Sequence, residues 1–134
     1  MDEKDRFNSG MKIRRLVLGD EHVDKAVAST TVFNADFQDL ITRYAWGEIW
    51  SRPGLPSPTR SLITIALLVA LQHADELRMH LRAALNNGAT QDEIKETLLH
   101  CAIYCGVPAA NHAFRLAQEV FAEKDAAGQA FDFA

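Results

Sequence analysis

No stretch of this chain alternates apolar and polar residues for long enough to make a strand, whereas almost every segment repeats its apolar residues at helical spacing. That property restricts the 134 residues to an all-α fold, and helix breakers then divide it. The spacing predicts an opening helix over about residues 3–17, with Ile13, Leu16 and Val17 turned inward and Gly19 at its end. A short helix follows from Val23 to Ala28. Asn34 is placed to cap a third helix that runs to Trp50 and buries Phe37, Leu40, Ile41 and Tyr44.

The stretch SRPGLPSP stops that helix, because Pro53, Pro56 and Pro58 do not fit a helix interior. Ser57 is expected to cap an apolar helix from Thr59 to Leu71. His73–Asp75 forms a corner into a helix that ends at NNG, where Gly88 supplies a left-handed residue. Thr90 and Glu93 have the spacing of a capping box for a helix through Cys105. Gly106 and Pro108 separate it from a last helix reaching about Lys124, and the tail DAAGQAFDFA is expected to fray or to pack on a neighbour through Phe131 and Phe133. The expectation is a single domain over residues 1–134, a compact bundle of about six short antiparallel helices. Residues 62–71 are apolar on nearly every side, which a chain this short has trouble covering alone, so contacts between subunits are expected.

Composition narrows the function classes. A formal charge of −4 and a pI near 5.7 give no general attraction to nucleic acid or to anionic membrane. The N-terminal MDEKDRFNSG lacks the apolar core of a secretory signal. The longest apolar run, residues 62–71, is half of the roughly 20 residues that span a bilayer. The expected location is therefore the cytoplasm. Two cysteines are too few for a disulfide scaffold.

Between Ile41 and Gly88 the basic residues are all arginines, Arg43, Arg52, Arg60, Arg78 and Arg82, against the acids Glu48, Asp75 and Glu76. Such a local excess suits a small anion, because guanidinium groups grip carboxylates through paired hydrogen bonds; arginines solvated or paired on helix faces are the competing reading. His80 falls between Leu77 and Ala84, at the edge of an apolar face, where an imidazole serves either as a general acid or base or as a core residue bonded to a carbonyl. His73 is placed to cap a corner, and His22, His100 and His112 lack partners at recognisable spacing. Neither HxxxH nor HExxH occurs, so no metal site is expected. Cys101 and Cys105 lie one turn apart late in a helix and continue the stripe of Ile94 and Leu98, which reads as core packing. Glu48 is the anomaly. At helical spacing it continues the stripe Phe37, Ile41, Tyr44, between Trp46 and Trp50, with Arg43 and Arg52 as candidate counter-charges.

The blocks RYAWGEIWSRPGL, TRSLITIALLVAL, ELRMHLRAALNNG and EIKETLLHCAIYCGVPAAN, in this order and spacing, resemble the 4-carboxymuconolactone decarboxylases over about residues 10–123, leaving 125–134 as a tail. The resemblance implies an alkylhydroperoxidase-D-like fold, assembled as a homohexamer or another multiple of a trimer, and no cofactor. Redox relatives carry a CxxC with a histidine four residues after the second cysteine. The corresponding segment here reads His73-Ala-Asp-Glu76-Leu-Arg-Met-His80, so the histidine is present and both cysteines are absent; Ser61 stands where those relatives have a glutamate.

The activity implied is decarboxylation of a small anionic lactone, 4-carboxymuconolactone, to 3-oxoadipate enol-lactone, in the protocatechuate branch of the β-ketoadipate pathway. On that reading His80 donates the proton or steadies the oxyanion, and Glu48 orients it or relays the proton. Arg43, Arg52 and Arg60 hold the carboxylates and the oxyanion, and Trp46 and Tyr44 form an apolar wall. Two rivals remain: a thiol-dependent peroxidase or reductase, which needs Cys101 and Cys105 accessible, and a non-catalytic oligomer that binds the lactone without turning it over.

Overall fold

A computed structural model describes residues 1–132, with side chains through residue 127; Phe131 and Phe133, expected to dock the tail, lie outside the described side chains. Among the described residues the chain is all-helical. Its elements are α1 (Glu3–Leu18), α2 (Asp20–Ala28), α3 (Ala35–Leu40), a π-helix (Ile41–Trp50), α4 (Ser57–Leu71), α5 (Ala74–Asn86), α6 (Gln91–Tyr104) and α7 (Val107–Asp132). Seven α-helices and the π-helix, among the described residues, stand against the expected bundle of about six. Several boundaries also differ, and α2 begins at Asp20 rather than at Val23. Ser57 is the first residue of α4 rather than its cap, and α7 continues past Lys124 to Asp132. Pro108 is tolerated in α7 because its missing N–H falls in the first turn, where no intrahelical partner exists. The chain divides into two compact units, Met1–Arg60 and Ser61–Ala134.

In the first unit α1 packs along the π-helix at backbone distance. A methyl group on Gly10 would sit 1.9 Å from the Thr42 carbonyl oxygen, and one on Gly47 would sit 2.3 Å from that of Arg6. Only glycine permits so close an approach. The face that α3 and the π-helix turn inward is not the predicted one. Thr42, Trp46 and Gly47 are buried and Gln38 is half-buried, whereas Phe37, Leu40 and Tyr44 are exposed and Ile41 is only half-buried. Two physical reasons account for this. Arg14 of α1 is buried and needs acceptors, which Gln38 and Thr42 supply. Winding with i→i+5 hydrogen bonds then shifts later side chains off the face that α-helical spacing extrapolates. In α1 Val17 is buried and Ile13 half-buried, but Leu16 is exposed.

The second unit is built on a core of Ile65 and Val69 from α4, Leu77 and Leu81 from α5, and Ile94 and Leu98 from α6, closed by residues of α7. The turn signals act as the sequence predicts. Gly88 takes φ +101°, and the bonds Ala89 N–H to Ala84 O and Gly88 N–H to Leu85 O close α5 with the paired pattern of a left-handed cap. The Thr90 Oγ1 accepts from Glu93 N–H at 3.0 Å while Glu93 Oε1 accepts from Thr90 N–H at 2.9 Å, completing the capping box. Asn34 holds the predicted N-cap position of α3 but makes no side-chain capping bond; its Oδ1 accepts from Thr31 N–H at 2.7 Å within the preceding turn.

Candidate active site

The π-helix carries four of the seven residues singled out from sequence: Arg43, Tyr44, Trp46 and Glu48. π-Helical turns are rare and occur frequently at functional sites. Each of the four meets α1 or its own helix in a way the sequence did not disclose. Glu48 is not the buried carboxylate of an apolar stripe. Its side chain keeps 43% of its exposure and is ion-paired with Arg6 of α1, not with Arg43 or Arg52. Arg43 donates to Glu3 at 2.8 Å and to Asp39 at 2.8 Å, so two carboxylates already engage it. The Tyr44 hydroxyl donates to the Glu3 carboxylate, with oxygens at 3.1 and 3.2 Å, and the Arg6 and Arg43 guanidiniums each lie 5.2 Å from its ring centre. Trp46 is buried 4.9 Å from the Trp50 ring and acts first as packing for this unit.

Glu3 is thus the hub of the N-terminal charge network. Its carboxyl is held below the ordinary range, chiefly by the hydrogen bond from Arg43, and the same bond raises Arg43. Arg52 is exposed in the loop after the π-helix, and among the described residues its side chain forms no ion pair; its carbonyl accepts from Arg60 Nη2 at 3.3 Å. Arg43 is therefore held by two carboxylates, whereas Arg52 forms no ion pair among the described residues.

His80 belongs to the second unit, half-buried on α5. Ser61 is fully buried, and its hydroxyl accepts from Asn87 Nδ2 at 3.2 Å. The position is filled by a hydrogen-bonded polar pair, with no carboxylate. This unit also contains a cavity of about 510 Å³, with Leu68, Val69 and Leu77 among its apolar walls and His73, His112 and Cys105 among its polar lining. None of the seven predicted site residues lines it. Gln72, at its edge, takes a left-handed φ of +59° where such caps usually have glycine. Cys101 lies in the core and Cys105 packs against it. Burial, followed by the neighbouring Cys105, pushes the Cys101 thiol above its ordinary range, the opposite of what a reactive thiolate requires.

The carboxymuconolactone decarboxylase family model matches residues 35–119, a span that takes in α3, the π-helix and most of the second unit. The chain belongs to this family. It is 55% identical over 121 residues to 4-carboxymuconolactone decarboxylase of Acinetobacter baylyi, covering 90% of each chain. It is 44% identical over 113 residues to a nitrosuccinic acid decarboxylase of Metarhizium robertsii, covering 84% of this chain and 79% of that one. A 4-carboxymuconolactone decarboxylase sequence of Pseudomonas putida is 52% identical over its full 48 residues, which correspond to 36% of this chain.

Sequence reasoning missed Glu3, Arg6 and Arg14, all on α1. Their partners lie far along the chain, as in Arg6 with Glu48, and no local spacing encodes such a pair. One signal was available. Gly10 and Gly47 interrupt good helical patterns, and an isolated glycine in a helix often marks a close backbone approach.

Proposed function

We propose that this protein decarboxylates 4-carboxymuconolactone to 3-oxoadipate enol-lactone in protocatechuate catabolism. The observation that carries this reading is the 55% identity over 90% of both chains to the Acinetobacter baylyi enzyme of that name. The substrate carbon that loses CO2 bears a carboxylate, an acetate arm and the ring oxygen. When its bond to the carboxylate breaks, the electron pair moves through the ring double bond into the lactone carbonyl, giving a furan-like dienolate. A proton added to the carbon beside that carbonyl yields the enol-lactone. The electron sink lies within the substrate, so the chemistry requires no added cofactor.

The nitrosuccinic acid decarboxylase supports the same logic. Nitrosuccinate also has a carboxylate and an acetate arm on one carbon, with a nitro group as the electron sink. What the two substrates share is a succinate skeleton bearing an electron acceptor. The protein's tasks are then to hold two carboxylates, steady an oxyanion and deliver a proton. Donors aimed at a developing oxyanion contribute roughly 100- to 1,000-fold in rate, and positioned proton transfer adds a similar factor.

The assignments follow from side-chain chemistry. His80 delivers the proton. Arg52 and Arg60 bind substrate carboxylates, and Arg43, already paired with Glu3 and Asp39, shapes the π-helix. Glu48, held by Arg6, remains the candidate carboxylate. The exposed stripe Ile63, Leu67 and Leu71 on α4 supports assembly into a trimer-based homo-oligomer, and a monomer by sedimentation equilibrium would refute that.

The deciding assay follows enol-lactone formation from 4-carboxymuconolactone, generated in situ by a cycloisomerase, with chelator present and thiols alkylated. Rapid turnover is expected, and no acceleration over the spontaneous reaction by folded protein would overturn the proposal. Glu48→Gln within about threefold of the parent rate would remove Glu48 from catalysis while leaving the decarboxylase reading intact.

A further inference from the structure

Arg14, on the inner face of α1, is only 6% exposed, yet its guanidinium meets no carboxylate among the described residues. Nη1 donates to Thr42 Oγ1 at 3.3 Å and Nη2 to Gln38 Oε1 at 3.1 Å. Thr42 gives its own hydroxyl proton to the Gln38 carbonyl at 2.7 Å, which fixes it as an acceptor for Arg14. The buried Nε has no hydrogen-bond partner. A guanidinium has five N–H donors, and two neutral acceptors leave both its charge and its remaining donors unanswered. Burying a cation without an anion is costly, so a stable fold keeps one only where something compensates.

Arg14 lines a cavity of about 190 Å³ within the first unit, large enough for about six waters. Phe7, Met11, Val27 and Ala35 contribute apolar walls, and Asp39 is the acid in the lining. The Asp39 carboxylate is already engaged by Arg43 at 2.8 Å, and Arg14 bonds Thr42 and Gln38 instead.

We propose that this cavity is a binding site for a small monocarboxylate, with the carboxylate held by Arg14 and the hydrocarbon body against Phe7, Met11, Val27 and Ala35. Arginine pairs with a planar carboxylate through two parallel bonds, which matches the unanswered donors. The apolar walls favour an organic acid over inorganic phosphate. Asp39 penalises a second negative charge, so the site discriminates against dicarboxylates, including succinate-like substrates of the proposed reaction. It therefore goes beyond that reaction and does not depend on it.

Isothermal titration of the full-length protein with butanoate, benzoate and succinate tests this. Saturable binding of at least one monocarboxylate is expected, with succinate at least tenfold weaker. Arg14→Lys, which keeps the charge but loses the fork, should weaken binding about tenfold. Val27→Phe fills the cavity from a half-exposed position while leaving Arg14 itself in place, and it should abolish binding while the protein stays folded by circular dichroism. Three results would overturn the proposal: no saturable heat with either monocarboxylate, binding unchanged in both variants, or Arg14→Lys and Val27→Phe altering only the oligomeric state. The last would show that a neighbouring subunit, not a small acid, fills the cavity.

Discussion

Replacing Gly10 with alanine puts the crossing of α1 and the π-helix to a direct test. The added methyl would lie 1.9 Å from the Thr42 carbonyl oxygen and 2.9 Å from the Gly47 nitrogen, both backbone atoms that no rotamer change can move. The helices must separate by about 1.5 Å to reach the 3.4 Å of ordinary contact. Overpacking of this kind costs about 1–3 kcal/mol, and contact with backbone on both sides places it at the upper end. Alanine gives back about 1 kcal/mol as the better helix former. The net loss is therefore about 2 kcal/mol, a fall in Tm of about 6 °C for a chain of this size. Thermal unfolding followed at 222 nm, at fixed protein concentration, measures it. Gly54→Ala, where nothing lies within 4 Å, is the matched control and should fall within about 0.5 kcal/mol of the parent. Because the π-helix carries Arg43, Tyr44 and Glu48, Gly10→Ala should also lower kcat/KM by about tenfold or more at temperatures where it is folded. A Gly10→Ala protein as stable as Gly54→Ala would refute the close crossing and the argument built on it.

Other outcomes follow from the site residues. Arg52→Ala should raise KM by about tenfold with Tm unchanged, whereas Arg43→Ala, which frees Glu3 and Asp39, should lower Tm as well; equal effects on KM and Tm from both would remove the distinction drawn here. Alkylation of native Cys101 should be slow at pH 7–8, because burial raises its thiol pKa, and Cys101→Ala should retain activity; fast labelling coupled to inactivation would revive thiol chemistry. Glu3 has a carboxyl pKa lowered from 4.5, chiefly by Arg43, so the stabilisation from its contacts is present above 4.5 and lost as pH falls through the lower, folded value. Tm should stay level from pH 7 to 5 and then fall, and Glu3→Gln should flatten that fall; an identical profile in the variant would refute the hub role of Glu3.

What the sequence determined by itself was local. Helix-forming periodicity gave the all-helical class, and the capping box at Thr90 and Glu93 and the left-handed Gly88, each acting within a few residues, appear in the structure where the chain predicts them. Family membership was likewise legible, because ordered blocks of residues carry it. The tertiary structure decided which face of α3 and the π-helix turns inward. Arg14, 28 positions before Thr42, demands acceptors there, and the i→i+5 winding displaces the faces that α-helical spacing predicts. It also decided the partner of Glu48. A charge 42 positions away, on Arg6, reaches that carboxylate only because Gly10 and Gly47 let two backbones meet, and distances of this kind exist only once the chain has folded.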